Sequence, residues 1–173
     1  MRAFIAIDLP KEAREEIVRI QEKMPEFLGK NTEEENLHLT LKFLGEIDEE
    51  QVEKIKRELE EIKLKKFETE IDSLGVFSED FIKIIWLHLT NCGKLQEEVD
   101  KRLASLFPKE ERFMSHLTIA RVKNVANKKE FLEKLEEIKI PGIRFSVDNF
   151  KLKKSTLTAE KPVYEDILEI KLI

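Results

Sequence analysis

Hydrophobic positions in this chain recur with two periods, two and about three and a half, and the switches between them mark the elements. Arg2-Ala3-Phe4-Ile5-Ala6-Ile7-Asp8-Leu9 is apolar almost throughout and predicts a buried strand. Pro10 opens a helix with Glu12, Glu15 and Glu16 early and Ile17, Val18 and Ile20 on one stripe. Residues 25–35 are polar and read as a loop. From Leu37 to Leu44 the period is two, with Leu37, Leu39, Leu41 and Phe43 on one face and His38, Thr40 and Lys42 on the other. Asp48 caps a helix running to about Ile62, with Val52, Ile55, Leu59 and Ile62 at helical spacing. Strands follow over 67–77 and 81–90, joined by Ser78-Glu79-Asp80. A helix bearing Leu95, Val99, Leu103 and Leu106 then runs toward Pro108, and a strand spans Phe113 to Val122. A last helix from about Asn127 carries Phe131, Leu135 and Ile138, and two strands, 143–157 and 163–173, close the chain.

This order is a β-α-β-α-β unit occurring twice within one domain, residues 1–173, the second copy beginning near residue 81. Superposing Phe4–Leu9 on Ile84–Leu89 sets His88 opposite Asp8. His38 then lies 30 residues beyond Asp8, and His116 lies 28 residues beyond His88. His38 and His116 are therefore repeat-equivalent.

All three histidines precede a threonine by two positions: His38-Leu39-Thr40, His88-Leu89-Thr90 and His116-Leu117-Thr118. With only 7 threonines in 173 residues, this spacing is not incidental. On a strand, residues i and i+2 share a face, so each triplet presents an imidazole beside a hydroxyl. Imidazole exchanges protons near neutrality, and a hydroxyl can hold a developing oxyanion. Two such units facing each other suit in-line displacement at phosphorus, with one imidazole on the entering and one on the leaving oxygen. The repeat selects His38 and His116. His88 shares a face with Ile84 and Trp86 and is expected to pack or to support its neighbours. Two histidines on separate strands fall short of the three or four ligands typical of zinc, so no metal is expected. No G-x-S-x-G elbow is present for a serine nucleophile.

Composition narrows the setting. Hydrophobic residues at 41% suffice for a core, while charged residues reach 39% and glutamine occurs only at Gln21, Gln51 and Gln96. Lys/Glu enrichment with few amides points to a thermophilic source. Cys92 stands alone, and no apolar run approaches a membrane span, so a cytoplasmic, monomeric protein is expected. A net charge of -5 excludes broad coating of nucleic acid but permits a local site for one RNA end.

Asn36-Leu37-His38-Leu39-Thr40-Leu41-Lys42-Phe43-Leu44-Gly45-Glu46 and Phe113-Met114-Ser115-His116-Leu117-Thr118-Ile119-Ala120-Arg121 resemble the paired HxTx motifs of the two-histidine phosphoesterases. The branch they resemble is the RNA 2′,3′-cyclic phosphodiesterases, also called 2′-5′ RNA ligases. Arg2–Ile7, Ser155-Thr156-Leu157 and Pro162-Val163-Tyr164 extend the likeness along nearly the whole chain. The resemblance implies a bilobal α+β fold, two pseudo-symmetric lobes of mainly antiparallel sheet with helices outside and a cleft between them. It implies RNA processing: RNA ends, tRNA fragments included, or nucleotides are the partners, hydrolysed to 2′-phosphates without a cofactor, with reversible 2′-5′ joining as a second activity. By the same analogy His38 is the proton donor and His116 the acceptor. Thr40, Thr118, Arg121 and Lys42 bind substrate. Strict alternation turns Arg121 away from His116, so its role requires a bend near Ala120. Phe4 is expected in the core in preference to the cleft lining, and Lys151, Lys153, Lys154 and Lys161 form a basic stretch read either as a solvated edge or as RNA contacts. Two other readings stay open: a phosphodiesterase for a small cyclic nucleotide or a 2′-5′ oligoadenylate, and a non-enzymatic module that binds RNA ends or nucleotides.

Overall fold

The computed structural model describes residues 1–173. Its elements are β1 (Arg2–Asp8), α1 (Lys11–Lys23), β2 (Leu28–Asn31), a 3-10 turn (Glu34–Asn36), β3 (His38–Glu46), α2 (Glu49–Glu60), β4 (Phe67–Val76), β5 (Ile84–Leu89), α3 (Gly93–Arg102), β6 (His116–Asn124), α4 (Lys128–Glu136), β7 (Ile143–Val147), β8 (Asn149–Leu157) and β9 (Pro162–Lys171). The fold is α+β and bilobal, built on two antiparallel sheets ordered β3-β1-β8-β9 and β2-β6-β5-β4-β7. One contiguous core of 38 buried residues runs through both. Helix α1 packs on β6 and β7, and α3 packs on β3, so helices cross between the lobes.

Local chemistry explains the helix starts. Asp48 accepts from Gln51 N at 2.8 Å while the Gln51 side chain accepts from Asp48 N at 3.0 Å, a reciprocal cap that satisfies two orphan donors. Asn127 caps α4 through Glu130 N at 3.1 Å.

Two elements differ from the sequence expectation. The 25–35 loop contains β2, whose four exposed residues carry no apolar signal but pair with β6 through the backbone. The stretch 143–157 is two strands: Asp148 separates β7, which pairs with β4, from β8, which pairs with β1. The sheet bearing His116 includes β4, which starts at Phe67, ahead of residue 81. The lobes are thus interlaced: β2 from the first half joins the second sheet, and β8 and β9 return to the first.

Candidate active site

The repeat is visible strand by strand. In the first sheet Asp8 pairs with His38, and in the second His88 pairs with His116, so β1/β3 and β5/β6 correspond. Both motif strands have the same burial sequence, with the histidine and threonine half-buried and the leucine between them buried. Both also carry a bulge at the same place. Ile5 pairs with Lys42 and Ala6 with Thr40, which leaves Leu41 unmatched; Ile85 pairs with Ala120 and Trp86 with Thr118, which leaves Ile119 unmatched. An extra residue reverses the alternation beyond it.

That reversal decides where Arg121 and Lys42 go. Arg121 turns into the cleft beside His116 and Thr118, through the bend that strict alternation lacks. The carbonyl of Ile119 at the bulge is held by Gln21 Nε2 at 2.9 Å and Thr32 N at 2.9 Å, which locks the distortion. In β3 the same device exposes Phe43, 73% accessible instead of buried with Leu41. Lys42 is withdrawn from the face of His38: it is buried, its ammonium 2.5 Å from Asp100 Oδ1 and 2.8 Å from the Pro108 carbonyl. The structure therefore gives Lys42 a buried partner rather than a free charge for substrate.

His38 and His116 line one cleft of about 460 Å³ together with Thr40, Thr118, Arg121 and Tyr164. Each imidazole is oriented alike. His38 Nδ1 donates to the Asn36 carbonyl at 2.7 Å, and His116 Nδ1 to the Met114 carbonyl at 2.8 Å, two residues back in both cases. A carbonyl only accepts, so Nδ1 carries the proton and Nε2 is the working nitrogen. His38 Nε2 lies 2.9 Å from Thr40 Oγ1, whereas His116 Nε2 has no hydrogen bond to protein. Burial pushes the His38 pKa below the ordinary histidine value; the Asn36 carbonyl and Asp8 oppose this, and the charges of Lys153 and Arg121 reinforce it.

Aromatic rings fix both imidazoles from the side. Tyr164 meets His38 edge-on with centroids 5.2 Å apart, and Phe77 meets His116 the same way at 4.9 Å. Phe4 is buried as expected, but as a bed beneath His38, 5.0 Å from it and from Tyr164. Trp86 packs 5.8 Å from Phe77 and lies over Gly75, where any Cβ would sit 2.6 Å from its ring. Phe77 lies outside the sequence motifs, and only its position just before the β4–β5 turn placed it near them.

The lysines of the C-terminal stretch are paired. Lys151 and Lys153 each bridge Asp8 and Asp166 at 2.8–3.0 Å on β8, an interior strand and not a solvated edge. Lys154 pairs with Glu165 and Lys161 with Glu35. Arg121 lines the cleft without an acidic partner, which leaves its guanidinium available to an anion there. His88 is part-exposed instead of packed away; its Nδ1 is 2.7 Å from Asp72, beside His116 on the neighbouring strand.

Comparison with known proteins gives a consistent result. The family model described as LigT like Phosphoesterase matches residues 7–86 and 90–164. The RNA 2′,3′-cyclic phosphodiesterase of Methanocaldococcus jannaschii is 39% identical over 98% of this chain and 99% of its own length. The protein of that name from Thermotoga maritima is 37% identical, covering 98% and 94%. Among solved structures, a Thermus thermophilus protein superposes with TM-score 0.83 at 27% identity, covering 99% of this chain and 97% of that one. Escherichia coli LigT complexed with 3′-AMP superposes with TM-score 0.80 at 25% identity, again covering 99% of this chain and 97% of that one.

Proposed function

The chain belongs to the LigT-like phosphoesterase family and is a phosphodiesterase; from that premise we propose that it hydrolyses RNA 2′,3′-cyclic phosphodiester ends to 2′-phosphomonoesters. The observation that carries this reading is the pair of imidazoles, each presenting Nε2 to one cleft from equivalent bulged strands. His116 Nε2 takes a proton from water as its oxygen attacks phosphorus. The bond from phosphorus to the 3′ oxygen breaks, and protonated His38 delivers the Nε2 proton to that oxygen. Charge building on the non-bridging oxygens is met by the Thr40 and Thr118 hydroxyls and by Arg121. A proton then passes back through solvent to restore the starting pair.

Two imidazoles supply both proton transfers, so the scheme needs no metal or cofactor. Its electrostatics favour this assignment once substrate binds. In the free protein, burial disfavours the His38 imidazolium, but a bound phosphodiester anion stabilises it. With a 5′-hydroxyl in place of water the same displacement forms a 2′-5′ linkage, and the reverse reaction exchanges the two roles. The names of the M. jannaschii and T. maritima relatives support RNA as substrate, and the 3′-AMP complex of E. coli LigT supports a nucleotide-sized cleft. No helix is long and apolar enough to cross a membrane, and we place the protein in the cytoplasm as a monomer.

Phosphorus NMR of a hydrolysed RNA end tests the proposal. A 2′-phosphate formed at an undiminished rate in EDTA is the expected result. A 3′-phosphate product would reverse the donor and acceptor labels, and dependence on added divalent metal would remove the mechanism.

A further inference from the structure

The buried charge pair that engages the Lys42 ammonium behind the cleft wall has a structural reach that the reaction scheme does not use. Lys42 and Asp100 are each only 3% exposed at the side chain, and both carboxylate oxygens are engaged. Oδ1 accepts from Lys42 Nζ at 2.5 Å, while Oδ2 accepts from Gln96 Nε2 at 2.8 Å and from Glu110 N at 3.1 Å. Lys42 also donates to the Pro108 carbonyl at 2.8 Å. Burial alone would raise the Asp100 pKa, but hydrogen bonds from Lys42, Gln96 and the Glu110 backbone outweigh it and hold the carboxyl below its ordinary range.

Three parts of the chain meet here. Lys42 lies two residues past Thr40 on the first motif strand, Asp100 is on α3, and Pro108 and Glu110 belong to the connection that enters β6. That connection has no helix or strand of its own between Arg102 and His116. It nevertheless supplies Glu110, Arg112, Phe113 and Met114 to the cleft wall, and the Met114 carbonyl orients His116. A coil segment with this duty needs an anchor, and the anchor is fixed to the strand that carries the other catalytic histidine.

From this geometry we infer that Lys42 and Asp100 are a positioning pair: they clamp the 108–114 connection to β3 and thereby hold His116 in register with His38 across the cleft. The inference rests on the proposed roles of the two histidines. It assigns Lys42 a part in the reaction without contact with substrate. A buried ion pair is a poor source of stability compared with apolar residues of similar volume, which are often neutral or better in its place. Its hydrogen bonds to Pro108 and Glu110, by contrast, have no apolar substitute.

That difference supplies the test. Lys42→Met with Asp100→Leu removes both charges together, and Asp100→Asn removes one while keeping the size of the side chain. For each variant, melting, turnover of a cyclic-phosphate RNA end and nitrogen-15 imidazole spectra are measured. The double variant is expected to remain folded but melt below the parent, because the Pro108 carbonyl and Glu110 N lose their partners. At temperatures where it is fully folded it is expected to lose about tenfold or more in kcat, with less change in KM. Its His116 spectrum should show loss of the fixed Nδ1–H tautomer, while that of His38 stays unchanged. A well-folded double variant with parental kcat, or with the His116 tautomer intact, overturns the inference. Asp100→Asn carries the same two readouts where the double variant does not fold. Because the imidazole spectra are read without substrate, they stand apart from the choice of RNA end. A parent protein inactive on that end would count against the proposed function alone.

Discussion

Replacing Thr40 by valine separates two things that one hydroxyl is asked to do. Valine keeps the branched shape of the half-buried side chain and deletes only Oγ1, the atom 2.9 Å from His38 Nε2. In the resting protein that is the loss of one hydrogen bond, a net effect on stability of about 0.5–1.5 kcal/mol. His38 stays oriented, because its bond from Nδ1 to the Asn36 carbonyl at 2.7 Å is independent of Thr40. In the proposed transition state the same hydroxyl faces a non-bridging oxygen, and removal of one such donor would cost roughly 10²–10³ in kcat, or about 2.7–4 kcal/mol. The two magnitudes do not overlap. Saturating turnover of an RNA 2′,3′-cyclic end, measured beside thermal melting, should therefore show a large fall in kcat with a small change in stability. Thr118→Val should match it in kcat and change stability less, since Thr118 makes no hydrogen bond to its histidine. If Thr40→Val keeps kcat within about tenfold of the parent, a difference of only ~1.4 kcal/mol, oxyanion binding by Thr40 is refuted.

Four other outcomes follow from the same geometry. Rate should depend on pH as a bell belonging to the pair of imidazoles, with the alkaline limb of kcat at higher pH than that of kcat/KM. The reason is that burial lowers the His38 pKa in the free protein and the bound anion raises it; coincident or inverted limbs would contradict this. His88→Ala should keep most activity and, because the Asp72 pair is 38% and 42% exposed, shift stability by less than about 1 kcal/mol; inactivation equal to that of His38→Ala and His116→Ala would break the repeat-based assignment. Burial alone would raise the Asp166 pKa, but hydrogen bonds from Lys153 and Lys151 hold it below the ordinary aspartate value. The stability Asp166 contributes is therefore present above about pH 4 and lost as pH falls through its folded value; Asp166→Asn should flatten acid unfolding over that range, and an unchanged profile would exclude it. The Lys/Glu-rich composition predicts a melting midpoint far above 50 °C, readable by calorimetry; a midpoint at about 50 °C would reject the thermophilic reading.

The sequence made His38 and His116 legible because two independent patterns, alternation on a strand and a repeat along the chain, agree on them. The same alternation misplaced Lys42 and Phe43. One unmatched residue at Leu41 reverses the faces of Lys42 and Phe43, and a bulge leaves no mark in the apolar pattern. The likeness of the motif flank pointed to Arg121, but alternation allowed it into the cleft only with a bend, which the unmatched Ile119 provides. Strand β2 was illegible because pairing by backbone alone needs no hydrophobic face. Lys151 and Lys153 look like a solvated edge in one dimension; their counter-charges, Asp8 and Asp166, come from other strands. Phe77 and Tyr164 flank the imidazoles through tertiary proximity, which spacing along the chain does not encode.

The interlacing of the two sheets sets the order in which the molecule can be made. Strand β1 precedes every other element described, yet one of its two neighbours, β8, spans Asn149–Leu157. In folding, the first sheet therefore keeps an open edge until β8 docks, and that closure is among the slower, non-local steps. Tyr164 reaches His38 only when β9 follows. A polypeptide interrupted before its final strands holds both histidines but not the framework that aligns them. Alignment of the two imidazoles is therefore a long-range event, set by strands far apart in the chain and not by either motif alone.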